Sequence, residues 1–441
     1  MTVVDVGRLK SHLDGVTTLR LQGRVLGVTG LRVRLALPGA RVGDVVSIRR
    51  RGAPPLAAEV VGFDDLGVIA LPLGEALGVG PEDLVESSGA PLQVHAGSAL
   101  LGRVLDGLGQ PLDGALPEGL AAVPVDRPSP PALERRRVDT VLGTGLRVVD
   151  GLLTVGVGQR VGLFAGSGVG KSTLLASMAR GSSADVVVVA LVGERGREVK
   201  DFIEQTLGRE ARARSVVVVA TSDSPALVRL RAAQVATAQA EYFRDQGASV
   251  LLLVDSITRV ARAQREVGLA AGEPPARRGY PPSVFALLPR LLERSGQGAR
   301  GAITAIYTVL VEGDDLEEPV ADEVRGILDG HIVLSRAVAA RGHYPAVDVL
   351  ASLSRVMPAI ADPEHRAAAT RIRGLLATLE EKRELVSLGA YKTGSDPRVD
   401  EALAARSSLE SFLCQSQEEI VEFGTVRSQL IALAAARSRA H

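Results

Sequence analysis

The chain has 441 residues, of which 46% are apolar and 23% are charged, so it can bury a substantial core and lies outside the composition of disordered proteins. Its 51 basic residues equal its 51 acidic residues, which excludes a bulk nucleic-acid or anionic-membrane binder. The single cysteine, Cys414, excludes an internal disulfide and a cysteine metal site, which fits a reducing cytoplasm.

The N-terminal segment carries no visible targeting signal, because residues 1–15 lack the apolar stretch of a signal peptide. Apolar runs such as Val186–Val192 end at strand length, well short of the ~20 residues of a membrane helix. We therefore expect a soluble protein that reaches a membrane only through partners. The length suggests two or three domains.

The first domain has the pattern of a small β-barrel. Apolar and polar or small residues alternate over Leu31–Leu37, as in a half-buried strand. Further short apolar runs, separated by Gly, Pro and Asp turns, are Val45–Ile48, Ala57–Val61 and Val68–Leu71. Strands at this spacing predict a barrel over roughly residues 15–90. We assign residues 1–90 to this N-terminal domain.

A connector rich in glycine and proline follows, from Gly102 to Ala132, and includes the run Arg127–Pro131. Prolines at this density do not fit the interior of a helix or a central strand. The connector is therefore predicted to wrap the surface between two domains.

The middle of the chain alternates strands and helices. Predicted strands are Arg160–Phe164, Val186–Val192, Val216–Ala220, Val250–Val254, Ile303–Leu310 and His331–Leu334, and predicted helices are Lys171–Arg180, Glu198–Leu207 and Ala226–Gln246. Strands that are apolar on both faces indicate a mostly parallel sheet covered by helices. We predict an α/β core over residues 91–360. A helical domain over 361–441 contains Arg366–Leu388 and Val399–Leu413, separated by a loop.

The central motif is a glycine-rich turn between the strand Arg160–Phe164 and the helix that follows it. It comprises Gly166, Ser167, Gly168, Val169, Gly170, Lys171, Ser172 and Thr173, with Ala165 where the strict G-x-x-x-x-G-K-[ST] pattern has glycine. Such a turn points backbone N–H groups inward at a phosphate, and the following helix adds its positive end. Lys171 is predicted to reach the β- and γ-phosphates of ATP and Ser172 to bind Mg²⁺. A chance glycine-rich turn is the alternative.

Asp255 ends the apolar strand Val250–Val254, where side chains face the crevice of a parallel sheet. A carboxylate at this place can hold the hydration shell of Mg²⁺. The alternative is an aspartate that caps the next helix. Beside the glycine-rich turn, we predict the metal role.

Glu194 follows the strand Val186–Val192 in the tract Gly193–Glu198. A carboxylate at the end of a core strand could align and polarise an attacking water molecule. Glu198 is the competing residue, but it falls within the next helix, where we expect it to face solvent.

Several tracts resemble a known family. They are the glycine-rich turn, Gly193–Val199, Gly272–Ser283, Val311–Asp315, Asp322–Arg336, His343–Pro358, Gly394–Pro397 and Phe412–Leu413. Together they resemble the catalytic subunit of F-type ATP synthase and, more closely, the ATPases of type III protein export. The resemblance is dense from about Gly102 to Pro358 and thinner at both ends. It implies a RecA-like P-loop core with an N-terminal β-barrel and a C-terminal helical domain.

The resemblance implies roles for residues around the phosphates. Glu194 matches the catalytic carboxylate and Arg195 its neighbouring phosphate-contacting arginine. Arg259 matches an arginine that faces the γ-phosphate, although a surface-helix arginine is the alternative. Arg355 matches the arginine finger, which the family supplies from the adjacent subunit.

The resemblance also implies a site for the adenine base. Tyr344 matches the aromatic residue that stacks on adenine, although a core aromatic beside Pro345 is the alternative. Phe423 is a candidate to close the adenine pocket from the C-terminal domain. The local match is thin there, because Gln417 stands where the family has an aromatic residue.

The expected function is a homohexameric ATPase that uses ATP and Mg²⁺ to energise type III protein export, by releasing and unfolding substrates at the export gate. The resemblance implies a stalk, stator or regulator proteins, secretion chaperones and effector substrates as partners. It places the protein in the cytoplasm, peripheral to the inner membrane through partners. A flagellar-type export ATPase or the catalytic subunit of a rotary F/V-type ATP synthase is the alternative.

Two further classes are weighed against this expectation. A hexameric helicase would stack bases on exposed aromatics of the barrel, but residues 1–90 hold only Phe63 and the chain has no tryptophan. We expect no nucleic-acid partner. A non-hydrolysing regulatory subunit would lack the catalytic carboxylate, so Glu194 argues against it.

Overall fold

The computed structural model describes residues 21–311 and 315–436. Three sequence predictions therefore fall wholly or partly outside the described residues: the expectation that residues 1–15 hold no signal peptide, the first residues of the barrel, and part of the tract Val311–Asp315. The strands of the first domain are β1 (Leu21–Thr29), β2 (Arg32–Ala36), β3 (Asp44–Ile48), β4 (Leu56–Asp64), β5 (Gly67–Pro72) and β6 (Leu84–Pro91).

These six strands close into a barrel in the order β1-β2-β5-β4-β3-β6, with every neighbouring pair antiparallel. Alternate residues such as Val33, Leu35, Val46 and Ile48 are fully or almost fully buried inside it. The predicted barrel is thus confirmed. The apolar pattern did not reveal β1 or β6, because most residues of β1 are exposed or half-buried.

The connector after the barrel corrects the sequence prediction. It contributes β8 (Val104–Asp106), which pairs in parallel with a strand of the core sheet, and β9 (Ala121–Pro124), which pairs with β7 (Gln93–Ala96). The rest of the connector consists of turns, bends and irregular chain, and the run Arg127–Pro131 is irregular, as its prolines require. A three-residue strand is too short to show a period, although Leu105 within it is completely buried.

The remaining strands belong to the core and are β10 (Val141–Leu142), β11 (Val155–Gly156), β12 (Arg160–Ala165), β13 (Val186–Glu194), β14 (Ser215–Thr221), β15 (Ser249–Asp255), β16 (Gly296–Gln297), β17 (Ala302–Leu310), β18 (Gly330–Leu334) and β19 (Val347–Ser354). The core sheet runs β19-β18-β12-β17-β15-β13-β14-β8, and β16 pairs with β17. Every pair along this path is parallel except β18–β19. The carboxyl ends of its parallel strands therefore share one edge.

The core helices are α1 (Arg147–Leu152), α2 (Lys171–Gly181), α3 (Gly196–Asp201), α4 (Arg209–Ala213), α5 (Ala226–Asp245), α6 (Ile257–Ala271), α7 (Pro282–Leu292), α8 (Pro319–Ile327), α9 (Arg336–Ala339) and α10 (Met357–Ile360). Alternate residues of β13 belong to two different apolar clusters. Val188 and Ala190 pack in the cluster of α5 to α7, whereas Val187 and Val189 pack in the cluster of α2. The predicted helix Glu198–Leu207 is instead α3 followed by a π-helical turn, Phe202–Thr206.

The C-terminal helices are α11 (Pro363–Glu381), α12 (Arg383–Ser387), α13 (Pro397–Leu413) and α14 (Phe423–Ala435). The predicted single helix Arg366–Leu388 is therefore two helices that meet at Lys382. Helix α13 begins two residues before its prediction, where the Asp396 side chain accepts a hydrogen bond from the backbone N–H of Arg398. None of the helices in the described residues combines the length and apolar character needed to span a bilayer.

Candidate nucleotide site

The glycine-rich turn lies where β12 passes into α2, at the carboxyl edge of the core sheet. Gly168 and Gly170 have φ angles of 80° and 92°, a left-handed backbone that favours glycine. Val169 between them is buried in the core and anchors the turn. Ala165 is still a strand residue, paired with Leu310 and Leu334, so the departure from the strict motif falls where no left-handed backbone is needed.

Helix α2 begins at Lys171 without a side-chain cap. Its first backbone N–H groups therefore remain free to bind a ligand, and they lie at the positive end of the helix. Ser172 is exposed at this end, whereas Leu174 and Leu175 are buried and hold the helix against the sheet. The loop and helix together form an anion-binding cradle.

Two buried carboxylates face this cradle. Asp255 ends β15 and Glu194 ends β13, and the parallel register of these neighbouring strands places them along the same edge. Asp255 is 1% exposed and Glu194 is 7% exposed. The Thr308 hydroxyl donates to Asp255 Oδ1 over 2.8 Å and fixes that carboxylate.

Cations compensate both carboxylates. Lys171 Nζ contacts Asp255 Oδ1 and lies 3.4 Å from Glu194 Oε1. Arg259, on α6, places Nη2 3.1 Å from Glu194 Oε2. Arg259 is thus part of the cluster, which argues against the alternative of a surface-helix arginine. Any anion that draws Lys171 away would leave Asp255 available to other ligands.

The pKa of Glu194 is raised above its ordinary value. Burial is the main cause, the Lys171 and Arg259 cations oppose the rise, and the nearby Glu198 carboxylate adds to it. A carboxylate that binds a proton more tightly than usual is a stronger base. Glu198 is exposed, as the sequence predicts, and lies 3.6 Å from the exposed Arg195.

Arg355 lies at the opposite edge of the sheet from the glycine-rich turn. It follows β19, whose last residue pairs with Gly330 at the start of β18, and its backbone N–H donates to the Asp329 carbonyl over 3.0 Å. Asp329 in turn is bonded to Arg160, the first residue of β12. Gly166 is six residues further along, roughly 20 Å at the rise of a strand. An exposed arginine at this place does not reach the glycine-rich turn of its own chain, residues 166–173, which is called the phosphate loop below.

Tyr344 and Phe423 take different positions. Tyr344 is half exposed, and its ring carbons lie 3.9 Å from where a methyl group at Gly170 would be. The backbone N–H of Gln415 donates to the Tyr344 carbonyl, which brings the segment after α13 to the same place. Phe423 begins α14 and packs its ring 5.8 Å from that of His365. The structure thus brings Tyr344 to the phosphate loop and gives Phe423 a contact within the C-terminal helices.

Sequence reasoning missed three residues near the cradle. Thr308 fixes Asp255, Gln415 bonds to Tyr344, and the Arg336 guanidinium lies against Gly166. Thr308 is hidden in the apolar run of β17, and the other two are brought to the site by strand register and domain packing. Arg336 ends one of the tracts that resemble the family, but the resemblance implied no role for it, and nothing marked Thr308 or Gln415.

A phosphate loop joined to a parallel sheet, with a lysine and buried carboxylates at the carboxyl edge, defines the P-loop NTPases, and the chain is one of these. Residues 145–354 match the ATP synthase alpha/beta family, nucleotide-binding domain, and residues 361–432 match the T3SS EscN ATPase C-terminal domain.

The chain is 52% identical to the flagellum-specific ATP synthase of Bacillus subtilis, over 90% of this chain and 91% of that protein. It is also 52% identical to the type 3 secretion system ATPase of Xanthomonas euvesicatoria, over 93% and 94%. A structure of the assembled ATPase EscN in complex with its central stalk EscO, from the enteropathogenic E. coli type III secretion system, matches with a TM-score of 0.87 and 43% identity, over 94% of this chain and all of that one. The chain therefore belongs to the family of type III secretion and flagellum-specific ATPases.

Proposed function

We propose that the chain is the homohexameric ATPase that energises type III protein export. The observation that carries this proposal is the buried Glu194, held beside Lys171 and Arg259 at the mouth of the phosphate loop. A regulatory subunit that only binds nucleotide has no need of such a carboxylate. The C-terminal match to the export ATPases favours export over a rotary synthase.

Lys171 is proposed to leave the carboxylates and bind the β- and γ-phosphates of ATP. Backbone N–H groups of the glycine-rich turn complete the phosphate cradle. They belong to Gly166, Ser167, Gly168, Val169, Gly170, Ser172 and Thr173. This exchange replaces an internal ion pair by a pair with substrate, so the lysine is never left without a counter-charge.

The residues present fit a magnesium ion bound together with the nucleotide. No group of three or more His, Cys, Asp or Glu side chains that could hold a metal occurs in residues 21–311 and 315–436, so phosphate oxygens would complete the ligand set. Ser172 would supply a hydroxyl oxygen and Asp255, oriented by Thr308, would hold the hydration shell. Mg²⁺ would neutralise phosphate charge at this place.

Glu194 is proposed to orient the attacking water and to accept its proton as the bond to the γ-phosphate breaks. Its raised pKa suits it to a base, and burial limits the bulk water around it. Arg259, bound to Glu194 in this structure, and the exposed Arg195 are proposed to meet the γ-phosphoryl oxygens, on which charge accumulates during hydrolysis.

Arg355 is proposed to act on the phosphates of a neighbouring subunit. Its place at the amino edge of the sheet supports this, because it cannot serve the cradle of its own chain. Each active site of the ring would then consist of one subunit's carboxyl edge and the next subunit's Arg355.

Tyr344 is proposed to stack on the adenine base, since its half-exposed ring lies beside the end of the phosphate loop. Phe423 remains a predicted partner from the C-terminal domain. Its ring packs against His365, so substitution of Phe423 with measurement of nucleotide affinity would test this role.

Assembly with other components of the apparatus belongs to the same proposal. The stalk of the EscN complex supports a stalk partner for this chain. Stator or regulator proteins, secretion chaperones and effector substrates are further proposed partners. The chain is proposed to act in the cytoplasm, held at the membrane by these partners. Equal identity to a flagellar and an injectisome ATPase supports a flagellar apparatus as the second candidate.

The test is to image purified protein with ATP and Mg²⁺ and to measure phosphate release in the same sample. The proposal expects six-membered rings and turnover that rises per chain as the protein concentration increases. Absence of turnover at every concentration, with Glu194→Gln indistinguishable from wild type, would overturn it. Rings active without any other subunit type would separate export from a rotary synthase.

A further inference from the structure

We propose that Arg336 is a positioning residue for the phosphate loop, and that its guanidinium clamps the first turn of the loop at Gly166 in the shape that accepts nucleotide. This inference rests on the nucleotide site proposed above. It adds a residue that lies 165 positions after Lys171 in the chain and outside the glycine-rich motif.

The register of the sheet sets the position of Arg336. Strands β12 and β18 are parallel neighbours, and Ala165 pairs with Leu334. The chain therefore leaves both strands at the same level, toward the phosphate loop on one side and toward α9 on the other. Arg336, the first residue of α9, is thereby carried to the entrance of the loop.

The contact with Gly166 is close. A methyl group at Gly166 would lie 2.7 Å from Nη2, 2.8 Å from Nε and 3.1 Å from Cζ of Arg336. The two distances to nitrogen are shorter than real side-chain carbons show and the distance to Cζ is tight, so the guanidinium occupies the space that a side chain would take. Gly166 has no left-handed φ angle, unlike Gly168 and Gly170. The contact with Arg336 is therefore the feature that a side chain at this position would disturb.

The same segment touches the loop a second time. Tyr344 lies beside Gly170, at the other end of the turn. A backbone hydrogen bond of 2.9 Å from Ser335 to Ala346 closes the segment at its base. The segment 335–346 thus spans the phosphate loop from its first glycine to its last, and Arg336 is its contact at the strand side.

Arg336 is also electrostatically suited to this position. It is exposed, and in the described part of the chain no carboxylate oxygen lies within 4 Å of it, whereas Lys171 and Arg259 are both paired. Its charge therefore lies beside the first glycine of the loop without a carboxylate partner among the described residues. A guanidinium is planar and packs flat on a peptide, which an ammonium group cannot do.

The first test is calorimetric titration of ADP with Mg²⁺ into full-length Arg336→Ala. We expect affinity to fall about 10- to 100-fold, because nucleotide binding must then also fix the shape of the loop. In steady state, KM for ATP should rise with kcat changed less than about threefold, since the residue acts through the loop. Arg336→Lys should recover only a small part of the affinity.

Arg341→Ala is the matched control. Arg341 lies on the same segment, carries the same charge and donates to the Ala337 carbonyl of its own segment. Its substitution should leave ADP affinity within about twofold of wild type. Equal affinity of Arg336→Ala and Arg341→Ala would overturn the clamp, as would complete rescue by lysine, which would reduce Arg336 to a source of charge.

The second test is a double-mutant cycle. Gly166→Ala should displace the guanidinium and weaken ADP binding as much as Arg336→Ala does. The double variant should be no weaker than either single variant, because the added methyl group then meets no side chain. Fold-changes that multiply would show that the two residues act separately, and the clamp would be wrong.

Lys171→Ala separates this inference from the proposed function. Loss of ADP binding in Lys171→Ala with normal binding in Arg336→Ala leaves the site in place and removes only the clamp. Normal binding in Lys171→Ala would instead overturn the nucleotide site itself.

Discussion

Two of the regions that bury acidic side chains differ in the partners of those side chains. At the carboxyl edge of the sheet, Glu194 and Asp255 are compensated by Lys171 and Arg259. At the junction of the core with the C-terminal helices, the completely buried Asp150 faces only neutral donors: the Thr144 hydroxyl at 2.7 Å, the Thr144 N–H at 2.9 Å and the Gly145 N–H at 3.2 Å.

The carboxylates at the carboxyl edge are ion-paired, whereas Asp150 is hydrogen-bonded within a loop that holds the C-terminal helices. The cations at the carboxyl edge are exchangeable, because an incoming polyphosphate offers them new partners. The loop at Asp150 instead holds the C-terminal domain, since the Gly145 carbonyl accepts from Gln415 Nε2 and from the Val421 N–H. Substitutions in the first region should lower turnover and spare the fold, and those in the second should change the free energy of unfolding and spare turnover.

The largest effect is expected for Arg355→Ala. A loss of turnover in this variant would show that the catalytic residues include one at the amino edge of the neighbouring chain's sheet. Turnover should fall by about 10³–10⁵, the range for arginine fingers, with an unchanged thermal midpoint. Mixing Arg355→Ala with Lys171→Ala should restore some turnover, because the second chain supplies the finger and the first supplies the loop. Mixed rings as inactive as their parents would mean that Arg355 is not shared.

Glu194→Gln should lower turnover by roughly 10²–10⁴, the contribution of a positioned base. Its thermal midpoint should not fall, because glutamine avoids the cost of burying a charge. Since its pKa is raised, the wild-type rate should increase with pH through that pKa, and this acid limb should vanish in the variant.

Glu198→Gln is the matched control for Glu194→Gln. The Glu198 side chain is half exposed and acts on Glu194 only by raising its pKa, so turnover above the acid limb should stay within about threefold of wild type while that limb moves to lower pH. A large loss here with little loss at Glu194 would exchange the roles of the two carboxylates.

The core of this site could be predicted from the sequence, because its residues follow from local motifs and from one general rule about parallel sheets. Unbroken apolar runs such as Val186–Val192 have few folds open to them, and the carboxyl-end rule for parallel sheets brought Glu194 and Asp255 to one edge. The glycine-rich turn is a local motif, so its position and shape could be predicted without any other part of the chain. The catalytic roles of these residues remain predictions.

The contacts that sequence could not supply depend on register or on domain packing. Arg336 reaches Gly166 only because Ala165 pairs with Leu334, and no periodicity encodes that offset. The break at Lys382 and the π-helical turn at Phe202–Thr206 are local departures within patterns that read as continuous helix. The role predicted for Phe423 came from a thin resemblance, and its ring lies against His365.

Asp150→Asn tests the junction through pH. Burial raises the pKa of Asp150 to about 7 from 3.8, so the folded chain binds this proton more tightly than the unfolded chain. The contribution to the free energy of unfolding is therefore complete below about pH 4 and is lost as pH rises to about 7. Because a pKa difference of one between the folded and unfolded chains corresponds to ~1.4 kcal/mol, the loss is at most roughly 4 kcal/mol.

Unfolding of wild type and Asp150→Asn should be followed from pH 4 to pH 8. The difference between the two should change over this range in favour of the variant as pH rises, with turnover of the two proteins alike at neutral pH. Parallel stability curves would show that Asp150 carries no such proton.

The smallest effect is expected for Asp362→Ala at the start of α11. Asp362 accepts from the backbone N–H groups of Glu364 and His365 at 3.0 and 3.1 Å, and it pairs with Arg427 on α14. Losing the cap should cost about 1 kcal/mol, whereas the exposed ion pair should add little. Asp362→Asn keeps the cap acceptor and should recover most of that loss in thermal melts. A change in turnover of either variant would mean that the junction is not separate from the chemistry.

The three-residue strand β8 bears on how the chain can be dissected. The match to the nucleotide-binding family begins at residue 145, but β8 pairs with β14 from Val104 to Asp106. A fragment cut at residue 145 would remove one of the two neighbours of β14 and expose a row of backbone donors and acceptors, a template for self-association. A fragment designed to fold alone should therefore start before Val104. The domain boundary of the fold thus differs from the boundary of the family match.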